Sequence, residues 1–203
     1  MAVAAGIMVP HPPLIVPDVG RGQEILIKDT IKAYQEAAGM AAELKPDTIV
    51  VISPHAVMYA DYFHVSPGKE ARGDFGRFMA PQIGVEAGYD EAFVRELDRL
   101  CGDDDFPMGT EGEREKELDH GTLVPLYFIN QHYRDYKLVR IGGSGLSFAE
   151  HYRAGRYIAR AAENLGRSVF IVASGDLSHK LRGDGPYGYS VQGPEYDERI
   201  MDV

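Results

Sequence analysis

Hydrophobic positions along the chain follow two rhythms. Short apolar runs lie at residues 3–9 (Val-Ala-Ala-Gly-Ile-Met-Val), 48–53 (Thr-Ile-Val-Val-Ile-Ser) and 168–174, each followed by a proline or a glycine, and a further strand is expected over 137–142. Runs this short and this apolar predict strands buried on both faces. Between them the apolar residues recur at helical spacing. Ile27, Ile31, Tyr34, Ala38 and Ala41 mark a helix over residues 21–44, closed by Pro46. Further helices are expected over 90–100, over 121–131 (Leu123, Leu126 and Tyr127, with Pro125 in the first turn) and over 148–165. Residues 11–17, His-Pro-Pro-Leu-Ile-Val-Pro, have their φ angles fixed by proline and predict a rigid, extended loop. The middle is less periodic: a strand over 62–66, a glycine-rich loop over 68–81 and an acidic irregular stretch over 102–117. Buried strands alternating with helices predict an α/β fold, a mostly parallel or mixed central sheet with helices on both faces.

Composition narrows the function classes. The 203 residues are 44% hydrophobic and 26% charged, an ordinary globular balance with room for one generous domain. No apolar run approaches the roughly 18 residues that a membrane helix needs. No basic segment precedes the first run, so no signal peptide is expected and the location predicted is cytoplasmic. The net charge of −10 argues against a nucleic-acid partner, because neutralising phosphates requires a basic face. One cysteine, Cys101, excludes a disulfide framework and a Cys-rich zinc finger, and its place beside an acidic loop suggests a structural thiol.

The histidines change the picture most. Val9-Pro10-His11, Ser53-Pro54-His55 and Ser174-Gly175-Asp176-Leu177-Ser178-His179 each place a histidine just past the carboxyl end of an apolar strand, the edge where open α/β sheets bind ligands. His120 opens a helix in Leu118-Asp119-His120-Gly121-Thr122. Imidazole is the commonest metal ligand and a proton carrier near neutral pH. A single strand-end histidine is ordinarily a hydrogen-bonded polar residue; two matched Pro-His pairs on rigid loops favour a preorganised site. His132 and His151 read as surface helix residues, and His64 has no context that assigns it.

Taken in order, Met8-Val9-Pro10-His11-Pro12-Pro13, Ser53-Pro54-His55, Asp119-His120-Gly121-Thr122-Leu123-Val124-Pro125-Leu126, Ser174-Gly175-Asp176-Leu177-Ser178-His179 and Gly193-Pro194-Glu195-Tyr196-Asp197 resemble the class III extradiol ring-cleavage dioxygenases of LigB type. The closest likeness is to the LigB-like domain of AmmeMemoRadiSam-system proteins, a group with Memo-like relatives. The resemblance implies a single LigB-like domain over 1–203, lacking the family's usual C-terminal helix and strand. It implies His11, His55 and Glu195 as metal ligands, a two-histidine, one-carboxylate facial site suited to non-haem Fe(II), with Zn or Mn as alternatives. It implies His120 and His179 as the catalytic acid–base residues. The partners implied are a small aromatic molecule and O₂, a homo-oligomeric assembly, and a partner domain or subunit of an AmmeMemoRadiSam system.

Two other readings share these residues. A Zn or Mn hydrolase would use the same ligands to acidify water. A non-catalytic, Memo-like binding domain would keep partner affinity without turnover. Ferrous dependence with O₂ uptake separates the first from a dioxygenase.

Overall fold

The computed structural model describes residues 3–202. Its strands in chain order are β1 (Val3–Val9), β2 (Thr48–Ser53), β3 (Phe63–His64), β4 (Glu70–Phe75), β5 (Ala80–Gly88), β6 (Met108–Gly109), β7 (Lys137–Gly142) and β8 (Val169–Ser174). The helices are α1 (Pro17–Gly20), α2 (Lys28–Leu44), α3 (Glu91–Asp103), α4 (His120–Ile129), α5 (Phe148–Leu165) and α6 (Gln192–Met201).

The central sheet has the order β1-β8-β2-β7, and every pairing in it is parallel. Alternate residues of its strands serve two cores, as a parallel sheet covered on both sides requires. Ile49, Val51, Phe170, Val172 and Leu138 pack with Tyr34 and Ala38 of α2 and with Leu123 and Leu126 of α4. Val50, Val139, Ile141 and Val169 face the other way, against Phe93 and Leu97 of α3 and Ile158 and Ala161 of α5. Because β8 is inserted between β1 and β2, the loops leaving β1, β2 and β8 open side by side at one sheet edge. That order positions the site.

Several elements differ from the sequence reading. β1 is an edge strand, not a buried one: only Val9 is buried and Met8 is 63% exposed, since its one neighbour is β8 and none of its residues joins the α3–α5 core. Residues 11–17 are not extended; Pro13 and Pro17 each start a short helical turn, a position where the missing N–H costs nothing, and Ile15 and Val16 become fully buried. The second helix starts at Lys28: Arg21 and Gly22 take left-handed backbone angles, and Gln23–Ile27 form a tighter 3-10 turn before it. The glycine-rich stretch is an antiparallel hairpin, β4–β5, which buries Ala71, Phe75 and Val85 and turns through Met79 at φ 65°. Pro125 lies in the interior of α4, not in its first turn. No described helix is long and apolar enough to cross a membrane.

Candidate metal centre

Three histidines from three elements converge at the carboxyl edge of the sheet. His11 follows β1, His55 follows β2 and His120 begins α4, and their ligand atoms lie within 4.8 Å of one another. The rings of His55 and His120 are 4.0 Å apart between centroids, and those of His11 and His55 are 4.9 Å apart. The Nε2 atoms of His11 and His55 are separated by 3.1 Å. Two nitrogens bound at about 2.1 Å and at right angles around one ion stand about 3.0 Å apart. The donor set therefore fits a divalent metal with adjacent histidine ligands.

Each histidine is held from behind. Asp176 Oδ1 accepts the backbone N–H of His11 at 2.8 Å, and Ser174 Oγ lies 2.9 Å from His11 Nδ1. The His55 N–H donates to Ser53 Oγ, and that hydroxyl donates to Asp119 Oδ1 at 2.5 Å. Asp119 in turn caps α4 by accepting from the Thr122 N–H, which fixes the helix start that carries His120. Gly121 completes the packing, since a Cβ there would collide with Ser53 Oγ.

Electrostatics keep His11 and His120 in their metal-binding form. Burial lowers the pKa of His11, partly opposed by Asp176 and reinforced by His55. Burial, then the neighbouring His55 and His11, lowers His120 to about 4. Neutral imidazole is the form that binds metal.

A cavity of about 480 Å³ opens onto His55 and His120, walled by Phe78, Arg114, Glu117 and Leu123. The edge of Phe78 meets His120 with ring centroids 5.4 Å apart. A larger cavity of about 1000 Å³ lies between the β4–β5 hairpin and the end of α4, and no histidine lines it.

The other expected site residues fall elsewhere. Glu195 is exposed on the first turn of α6 and does not join the converging group; the third donor in reach is His120, expected to be an acid–base residue. His179 is half exposed, with its Nε2 3.4 Å from Asp176 Oδ2 and its ring edge-on to Tyr187. The same Asp176 oxygen is 3.7 Å from His11 Nε2, so this carboxylate links His179 to the group. Sequence reading assigned no role to Asp176, Ser174, Ser53 or Asp119. Their signal was adjacency: each lies within three positions of a singled-out histidine or ends a strand beside one. His132 sits just after α4 and contacts Gln35, while His151 packs on Phe63 from α5. Cys101 is buried in α3, and burial pushes its thiol up to about 12, as an inert structural residue requires.

Residues 5–203 match the family described as the catalytic LigB subunit of aromatic ring-opening dioxygenase. A protein of Clostridium acetobutylicum is 39% identical over 201 residues, covering 96% of this chain and 43% of that protein. The 3,4-dihydroxyphenylacetate 2,3-dioxygenase of Escherichia coli is 26% identical over 160 residues, covering 76% of this chain and 57% of the enzyme. The chain thus spans about half the length of the curated relatives it matches. With its parallel sheet, flanking helices and full-length family match, the chain belongs to the LigB family of aromatic ring-opening dioxygenase subunits.

Proposed function

We propose that this chain is the metal-binding domain of a non-haem Fe(II) extradiol-type dioxygenase acting on a small catecholic substrate with O₂. The observation that carries the reading is the convergence of His11, His55 and His120 with the right-angle separation of two ligand nitrogens. The family match and the named activity of the Escherichia coli relative support the reaction class. The AmmeMemoRadiSam setting, with Memo-like relatives and a partner domain or subunit, is the context in which we place it.

In this reading His11, His55 and His120 would hold the ion, next to the cavity onto which His55 and His120 open. The chemistry such an ion supplies when bound is Lewis acidity toward catechol oxygens and an electron path between catechol and O₂. Phe78 and Leu123 offer apolar surface to an aromatic ring, and their packing restricts water around His120. His179, paired with Asp176, holds or delivers a proton at its Nε2 beside the site. Asp176 keeps that imidazole oriented while also fixing the His11 backbone.

Anaerobic reconstitution with Fe(II), followed by O₂ consumption over a panel of catechols, tests the reading. Oxygen uptake with a yellow ring-opened product supports it. Stoichiometric metal without uptake on any catechol, together with Zn-dependent hydrolysis, would replace it with a hydrolase.

A further inference from the structure

Pro125 lies in the interior of α4, where proline is poorly tolerated because it has no N–H to give the carbonyl four residues earlier. That carbonyl belongs to Gly121, one residue past His120. It accepts instead from the hydroxyl of Ser174 at the end of β8, at 2.5 Å, in a buried contact. A carbonyl oxygen carries no proton, so the single hydroxyl proton of Ser174 is committed to it. Ser174 Oγ also lies 2.9 Å from His11 Nδ1, and that contact is buried as well. With its proton spent on Gly121, Ser174 can only accept there, and His11 must donate from Nδ1. The proton of the neutral ring then sits on Nδ1, and Nε2 keeps a bare lone pair. Nε2 is the atom that faces His55 at 3.1 Å.

We propose that Pro125 is a positioning residue that fixes the tautomer of His11 through Gly121 and Ser174, presenting Nε2 to a metal. The proposal rests on the reading of His11 as a ligand, and it explains a proline that helix stability alone disfavours. Gly121 sits close to the Ser53 hydroxyl, where a Cβ would collide, so its backbone has little room to move. An alanine at 125 would supply the missing N–H, compete with Ser174 for the Gly121 carbonyl and let the hydroxyl proton turn toward His11 Nδ1 part of the time. The ring would then carry its proton on Nε2 in part of the molecules and close the metal-facing lone pair.

The test uses the full chain as wild type, Pro125→Ala and Ser174→Ala. Nitrogen-15 NMR of labelled histidine in metal-free protein, with the His11 signals assigned by their loss in His11→Asn, reads the tautomer directly. Zn²⁺ titration against a chromophoric chelator reads affinity, and thermal melting reads stability. The expected result is an Nδ1-protonated His11 in the wild type and a mixed or reversed tautomer in Pro125→Ala. Zn²⁺ affinity should fall 10–100-fold, the usual size of an effect transmitted through a ligand's hydrogen-bond partner. The melting temperature of Pro125→Ala should rise, because a helix interior gains a hydrogen bond. A proline with only a structural role would move the melting temperature and leave affinity and tautomer alone, and that result overturns the proposal. Ser174→Ala should also weaken Zn²⁺; wild-type affinity there overturns it too. A wild type that takes up no Zn²⁺ sinks the metal-site reading itself, whereas the NMR arm, run without metal, judges the relay independently.

Discussion

Ser53 donates its hydroxyl to Asp119 at 2.5 Å, joining the end of β2 to the cap of α4 across 66 positions of sequence. Asp119 also takes the backbone N–H and the hydroxyl of Thr122, so one carboxylate stitches the strand that delivers His55 to the helix that delivers His120. The close, tilted approach of those two imidazoles, 4.0 Å between centroids, depends on this bond. Asp119→Ala removes a helix cap, worth about 1 kcal/mol, and leaves the buried Ser53 hydroxyl without its acceptor. We expect destabilisation of about 2 kcal/mol and metal binding weakened at least tenfold, measured by denaturant unfolding and metal titration. Equal metal affinity in a destabilised variant would show that the cap acts on the fold alone.

Metal content separates the two candidates for the third ligand. His120 sits inside the converging group, and Glu195 stands exposed on α6 outside it. His120→Ala should therefore lose most of its metal after dialysis. Glu195→Ala should keep it, with little change in melting temperature because the side chain supports no core. The reverse pattern would return Glu195 to the ligand set and require α6 to close over the site.

Acid should destabilise the metal-free protein through the same cluster. In the unfolded chain an imidazole titrates near 6.5, while folded His120 titrates at about 4 and His11 is shifted the same way. Between these values the unfolded state binds protons that the folded state refuses, so stability falls as pH drops from about 6.5 toward 4 and is fully present above 6.5. Thermal melts across pH 4–7 check this, and His120→Gln should flatten the slope. A slope unchanged in that variant would assign the acid sensitivity to other groups. Metal should steepen the dependence, since each ligand must lose its proton to bind.

Much of the architecture was legible because burial on both faces leaves an unbroken apolar run. β2 and β8 announce themselves in this way, β7 less plainly because the buried Arg140 interrupts it, and α5 does so through its amphipathic spacing. β1 reads identically yet lies at the sheet edge, because strand order is set by crossovers that no local pattern encodes. The β4–β5 hairpin escaped for the opposite reason: glycines at 73, 76, 84 and 88 interrupt its alternation, and Gly73 is required where Leu118 presses on the strand. At the site, the Pro-His pairs marked the strand ends where His11 and His55 lie. The carboxylates were harder. Glu195 follows a motif but sits on a helix that buries only Gly193, whereas Asp176 drew no notice beside a more conspicuous histidine and is the acid nearest His11.

His64 supplies a last test, remote from the metal cluster. It is fully buried in β3, and neither ring nitrogen has a hydrogen-bond partner. The nearest acid, Glu113, is 4.0 Å from Nε2, too far to bond, and burial lowers the histidine's pKa so that it stays neutral. An unpaired buried polar group costs about 1–3 kcal/mol, and removing it in favour of an apolar side chain of similar size recovers part of that cost. Phe63 and Val65 on either side point into the α3–α5 core, so His64 faces the other way, where the Tyr59 ring is its aromatic neighbour at 6.4 Å between centroids and would pack on a leucine. His64→Leu should leave metal affinity unchanged and raise stability by about 1 kcal/mol, which for a chain of this length is about 2–4 °C in melting temperature. A loss of several degrees instead would mean that the imidazole is bonded to Glu113 through a water, and that His64 anchors the 110–118 segment which walls the cavity.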